Sequence, residues 1–406
     1  MGSISPSTKP NIVVVGGSYV GLKAVELLSH AFSSTHQTIL LEKNTHFQHL
    51  FAFPRYAILP NHEHMAFVPY DNAFHSSPPG SVVHVRGKVT EVLPDNTIKY
   101  TGVVGEGQAK EELIPFEYLV LATGTKLPPP GTLHTEDKVS GIEYFREHQR
   151  RVKDAKKIVV VGGGAVGVQM ATDIADLYPP STSGKHVTLI QSRNQLMPTF
   201  HPAIHPLLMT RLEELGVEVI LGERVKVPEG GFPVDKGEFE VEVGSGRKVG
   251  ADFVIICTGQ IPLSSPVLSL SPDLVSSKTG RILVKPSLQT ASSSHPNIFA
   301  IGDVAETGGP KQARPGFKQA EIVVENIKRL EGVKEENGEV EVDLVKYDPD
   351  PAGIHLTLGM KRNILFRNPA SSDGEPSITV KDDGVEDMGV SRVWAMRAPG
   401  VTNYRL

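Results

Sequence analysis

Short β-branched runs that stop at glycine, followed by helical spacing of apolar residues, set the rhythm of the chain. Ile12-Val13-Val14-Val15 runs into Gly16-Gly17 and opens into a helical pattern reaching Leu28. This predicts strand, tight turn and helix. Ile39-Leu40-Leu41 then predicts a second strand, ending on Glu42. The same order returns at Lys157–Asp173, KIVVVGGGAVGVQMATD, followed by a strand at His186–Ile190 that ends in Gln191-Ser192-Arg193. A unit repeated in this form is the βαβ beginning of a dinucleotide-binding fold. Gly16 permits the turn, Gly21 lets helix and strand pack closely, and the free backbone N–H groups at the helix start can hold a pyrophosphate. Ser18 replaces the middle glycine of the first pattern, whereas Gly162, Gly164 and Gly167 complete the second. Glu42 stands 21 residues after Gly21, where a carboxylate binds a ribose diol. Two such units in one chain suggest two nucleotides meeting face to face, the usual pair being a flavin and a nicotinamide.

Between and beyond the units the pattern continues. Val82–Val92 alternates as a strand, Asn96–Thr101 can pair with it, and Phe116–Thr125 is a buried strand ending in small residues. Helical spacing covers Pro206–Leu215, hairpin-like strands Gly237–Val249, and an apolar strand Ala251–Cys257. LATGT (121–125) and ICTGQ (256–260) read as crossing points between domains. In Asn297–Thr307, NIFAIGDVAET, a strand ends at Gly302-Asp303, where the carboxylate can accept a ribityl hydroxyl. A helix is predicted over Phe317–Leu330, burying Phe317, Ala320, Val324 and Ile327, with Glu331–Val340 as a charged linker. The expected organisation is therefore α/β. Two Rossmann-like domains, for FAD (10–128 and 259–335) and NAD(P) (129–258), precede a small C-terminal α+β cap (336–406).

Composition narrows the chemistry. A formal net charge of −5 and Lys/Arg runs of three at most give no electrostatic footprint for nucleic acid, and so argue against a signalling or DNA-binding role. No apolar run approaches the roughly 18–20 residues needed to span a bilayer. The first ten residues lack a signal core, and Pro6 spoils a myristoylation pattern at Gly2. A cytoplasmic protein is expected, with peripheral contact to a lipid surface left open. Cys257 is the only cysteine, so no intramolecular disulfide and no C-x-x-C relay exist; it reads as a small core residue. His46 and His49 lack a third ligand nearby, so no metal site is expected. Arg55, after Pro54, can pair with a pyrophosphate in two-pronged fashion.

Gly16-Gly17-Ser18-Tyr19-Val20-Gly21, Pro54-Arg55, LATGT, Gly162–Gly167 and IGDVAE together resemble the FAD- and NAD(P)-dependent oxidoreductases of the apoptosis-inducing-factor type. Within these the chain is most similar to ferroptosis-suppressor-like quinone reductases and fungal AMID-like flavoproteins, over about Asn11 to Leu330. The resemblance implies that Gly16–Val20 line the FAD pyrophosphate, Glu42 the adenosine ribose and Asp303 the ribitol. Arg55 would face FAD, the backbone of Val89 would meet the adenine, and the second glycine loop would take NAD(P)H. Pro310-Lys311 matches a pattern just before the helix under the flavin ring, making Lys311 a candidate catalytic residue. Relatives carry Glu where this chain has Gln169, near the nicotinamide. Gln191 replaces the acid of NAD-selective enzymes, and with Arg193 leans the choice toward NADPH. The implied reaction passes a hydride from NAD(P)H to the flavin, held roughly 3–3.5 Å apart in a dry cleft. The electrons then go to an external acceptor, either a quinone or the substrate of a biosynthetic tailoring step.

Overall fold

The computed structural model describes residues 9–104, 108–335 and 342–405; the myristoylation reading at Gly2 lies outside them. The first unit is β1 (Asn11–Val15), α1 (Tyr19–Phe32) and β2 (Gln37–Glu42). β1 pairs in parallel with β2, Val15 opposite Leu41. A long strand, β3 (Val82–Leu93), follows β2 in parallel through Arg86 and then turns into an antiparallel meander with β4 (Thr97–Val104) and β5 (Gln108–Pro115). β6 (Tyr118–Leu121) lies on the other side of β1.

The second unit repeats the plan. Helix α2 (Lys138–Asp154) leads into β7 (Lys157–Val161), α3 (Ala165–Leu177), β8 (His186–Gln191), β9 (Glu218–Leu221) and β10 (Phe253–Ile256), with sheet order β9-β8-β7-β10. The chain then returns to the first sheet as β11 (Ile298–Ala300), giving the order β11-β6-β1-β2-β3-β4-β5. The two crossings meet. Thr125-Lys126 pairs antiparallel with Ile261-Pro262, and Thr123 Oγ1 donates to the Leu263 carbonyl at 2.8 Å.

Strand alternation decides what each face buries. Ile12 and Val14 point toward α1, where Leu22, Val25 and Leu28 meet them. Val13 and Val15 point the other way, into a cluster with Val92, Ile98 and Ile114 of the meander. Each fully buried side chain of this kind contributes about 1.5–3 kcal/mol. Helix α4 spans Ala313–Glu335, beyond the predicted Phe317–Leu330 at both ends. Pro315 is tolerated there because the first turn needs no N–H donor from it. Glu331–Glu335 is thus helical rather than linker, and the remainder of that predicted linker lies outside the described residues. Ala320, Val324 and Ile327 are buried as expected, but Phe317 is half-exposed. At the lower end of the sheet His36 Nε2 lies 3.1 Å from Glu117 and 3.7 Å from Glu331, tying α4 to the strand entrances.

The C-terminal region is an antiparallel sheet, β12 (Gly353–Thr357), β13 (Asn363–Arg367) and β14 (Ser377–Lys381), plus helix α5 (Val390–Arg397). Trp394 of α5 is fully buried, its Nε1 donating to the Met65 carbonyl at 2.9 Å. Among the described residues no helix is long and apolar enough to cross a membrane.

Candidate active site

Both glycine turns are places that side chains cannot enter. Gly16 has φ +106°, and a Cβ on it would lie 2.4 Å from the Ala122 carbonyl oxygen. A Cβ on Gly21 would lie 1.7 Å from the Gly16 carbonyl oxygen. In the second turn Gly162 has φ +112°, and a Cβ on Gly167 would lie 1.8 Å from the Gly162 oxygen. Neither α1 nor α3 carries an acidic residue in its first turn, and neither Ser18 nor Gly164 provides a side-chain cap. Neither helix therefore supplies an anion of its own to its positive end.

Glu42 closes one side of the first turn. One of its carboxylate oxygens accepts the Gly17 N–H; the other accepts the backbone and side-chain N–H groups of Asn44, both at 2.7 Å. Burial pushes its pKa up, against the pull of these bonds. Tyr70 donates to the Gly17 carbonyl at 2.7 Å and seals the same corner. Val89 lies on β3, three residues past Arg86, the register partner of Glu42, at a break in the β3–β4 register.

Asp303 closes the other side. It follows β11 in a tight turn started by Gly302 at φ +72°, and the Gly302 N–H is held by Gln319 Oε1 at 2.7 Å. Val20 of the first glycine loop packs against this turn and against Gly316 at the start of α4. Among the described residues the Asp303 carboxylate makes no hydrogen bond and no ion pair. Burial raises its pKa, with Lys311 and Arg281 pulling the other way. Lys311 Nζ donates to the Ala305 carbonyl at 2.8 Å and to Thr307 Oγ1 at 3.1 Å, and burial lowers its pKa. Glu42, through Gly17, and the turn carrying Asp303, through Val20, are thus both joined to the first glycine turn, and Lys311 lies near enough to Asp303 to act on its charge.

A sequence profile described as "Pyridine nucleotide-disulphide oxidoreductase" matches residues 6–320. The chain belongs to this family. Among its relatives, Fe-regulated protein 8 of Mycosarcoma maydis is 33% identical over 407 residues, covering 97% of this chain and 96% of that protein. Ferroptosis suppressor protein 1 of Homo sapiens is 29% identical over 366 residues, covering 87% of each. The fold is that of the sulfide:quinone oxidoreductase of Aquifex aeolicus, with a TM-score of 0.71 at 19% identity over 96% of this chain and 92% of the other. The water-forming NADH oxidase of Lactobacillus brevis superposes with a TM-score of 0.63 at 19% identity, over 88% and 75%. The chain is a member of the NAD(P)H-dependent flavin oxidoreductases, and the glycine cradles fit the FAD and NAD(P)H that the family binds. Despite the family's name, this pyridine nucleotide oxidoreductase has a single cysteine. Burial pushes the Cys257 thiol up to about 12, as suits a packing residue.

Several expected site residues are placed otherwise. Arg55 is fully buried, with Nε and Nη2 on the two oxygens of Asp173 at 2.6 and 2.9 Å and Nη2 also on the Gly359 carbonyl at 2.8 Å. Its Nε–Nη2 fork is taken and so not available to a pyrophosphate, and only Nη1, buried without a hydrogen-bond partner among the described residues, is left over. Instead Arg55 joins the first unit, the second unit and the C-terminal sheet at one point. Gln169 lies one helical turn before Asp173, its amide 3.6 Å from Met388 Sδ. Gln191 accepts the N–H of Gly163 at 3.3 Å and of Ser192 at 3.1 Å. His49 is not on a helix face: it follows the strand His46–Gln48, and its Nδ1 is 2.7 Å from the Tyr19 hydroxyl. Sequence reasoning missed the parts played by Tyr70 and Asp173, because their partners Gly17 and Arg55 are remote in the chain.

Proposed function

We propose that the chain is an NAD(P)H oxidoreductase that reduces a quinone, or a comparable small molecule, as its external acceptor. Bound FAD would supply the redox chemistry; the side chains bind, orient and keep water out. The observation that carries this reading is the Asp303 carboxylate, unpartnered among the described residues, on a turn that packs against Val20 of a glycine loop opening a helix with no acidic residue in its first turn. Asp303 would accept a ribityl hydroxyl, Glu42 a ribose hydroxyl through its remaining lone pairs, and the Gly16–Val20 amides a diphosphate. The Gly162–Gly167 turn would hold the nicotinamide nucleotide. Gln191 gives that turn an uncharged neighbour, which leaves a 2′-phosphate unrepelled and supports NADPH.

A quinone that receives a hydride equivalent needs one further proton. We assign it to Lys311 Nζ, whose burial eases release. The test is steady-state turnover with NADPH against short-chain quinones, dioxygen and ferricyanide. Turnover with quinones well above that with dioxygen supports the reading, and none with any quinone contradicts it. Lys311→Met should lower quinone turnover about 10²-fold, the scale of one general acid, while leaving ferricyanide, which takes no proton, unaffected.

A further inference from the structure

The cation that sequence assigns to the first cradle, Arg55, is consumed by Asp173. Another arginine stands near that cradle without a counter-ion. Arg397 ends α5, is half-buried, and lies with its guanidinium carbon 5.4 Å from the centre of the Phe47 ring. Phe47 is fully buried and meets the ring of Tyr19 edge-on at 5.1 Å. Tyr19 belongs to the glycine loop and opens α1. Arg397 also acts electrostatically on the hydroxyls of Tyr19 and Tyr70, the latter being bonded to Gly17.

Among the described residues Arg397 makes no ion pair and no hydrogen bond. The acidic side chain in its field is Glu26, already paired with Lys23 at 3.2 Å. A half-buried guanidinium facing an aromatic ring gains something from the ring, and its five donors remain open to an acceptor. A charge meant only to complement the C-terminal end of α5 could sit in solvent. Arg397 is instead held inward. Trp394, one turn earlier, is bonded to Met65 and stacked on Tyr404 at 4.7 Å, and the Tyr56 hydroxyl donates to the Asp387 carbonyl at 2.8 Å. The start of α1, with no acidic residue in its first turn, and a cation without a counter-ion among the described residues are thus linked through Tyr19 and Phe47.

We propose that Arg397, carried by the C-terminal helix, binds the diphosphate of the dinucleotide held at the first glycine turn. The inference rests on reading that turn as the FAD site, and it makes the C-terminal region part of the cofactor's binding surface.

The test is equilibrium binding of FAD to the flavin-stripped 406-residue chain, with ADP and adenosine as competitors. Arg397→Gln should weaken FAD and ADP by tenfold or more, leave adenosine unchanged, and flatten the salt dependence of FAD binding. Arg397→Lys should recover part of the loss, and Arg392→Gln should match the wild type. FAD and ADP bound equally by Arg397→Gln and wild type would overturn the proposal while leaving the FAD site standing. An equal loss of FAD, ADP and adenosine would also overturn it, assigning Arg397 to folding alone. Wild-type chain that binds no FAD would instead remove the reading beneath it. Should Arg397→Gln not fold, the same comparison is made with Arg397→Lys, where loss confined to FAD and ADP supports the proposal and no loss contradicts it.

Discussion

The two glycine cradles are built alike and differ where each meets its surroundings. In both, the residue ending the second strand accepts the N–H of the second glycine: Glu42 from Gly17, Gln191 from Gly163. In the first cradle the acceptor is a buried carboxylate, Tyr70 bonds to Gly17, and the turn carrying Asp303 packs against Val20. In the second it is a neutral amide, and the helix-capping Gly164 has nothing within 4 Å of its missing Cβ. A cradle enclosed on several sides suits a nucleotide that stays; an open one suits a nucleotide that comes and goes. The same backbone device would thus serve retention or exchange according to what is packed around it.

The comparison breaks most sharply at the closest contacts. Gly21→Ala places a methyl where the Gly16 carbonyl stands, and backbone cannot yield as a side chain can. It should cost ~3 kcal/mol or more and abolish FAD retention, measured as flavin per chain. Gly167→Ala should spare bound FAD and abolish its reduction by NAD(P)H. Alanine at Gly164 meets open space, and should bind nucleotide far better than alanine at Gly167.

Next in size is the joint between the cradles. Arg55→Ala leaves Asp173 buried and unpaired, and should lower stability by about 3–5 kcal/mol in a denaturant melt. Gln191→Glu tests the charge difference itself: it should shift the NADPH/NADH ratio of kcat/KM about tenfold toward NADH.

The smallest effect concerns His49, beside the first cradle. Burial pushes its pKa down to about 4, so below about 6.5 the unfolded chain takes up a proton that the folded chain does not. This contribution makes stability fall as pH drops from 6.5 toward 4, on the order of 1–2 kcal/mol at pH 5. His49→Asn should flatten that part of the thermal-stability profile.

How much of this was legible in the sequence follows from how local each feature is. A β-branched run, a glycine at positive φ and a helix start involve neighbours within about twenty residues, so both turns and Asp303 could be read directly. Arg55 could not be, since its partners lie 118 and 304 residues away, and a buried ion pair leaves no periodic trace. Arg397 carries no motif either; only the packing of Trp394 brings it to Phe47. Helix α4 outran its apolar stripe because Glu331–Glu335 is polar and continues the helix by backbone bonding rather than by burial.

The account depends on a flavin at the first turn receiving a hydride from a nucleotide at the second. Mixing the purified chain with NADPH under strict anaerobiosis, while following the flavin absorbance, tests this most directly. The prediction is a yellow protein whose flavin band bleaches within one turnover and returns when a quinone is added. A chain that holds FAD yet keeps its colour under excess NADPH and NADH would contradict it.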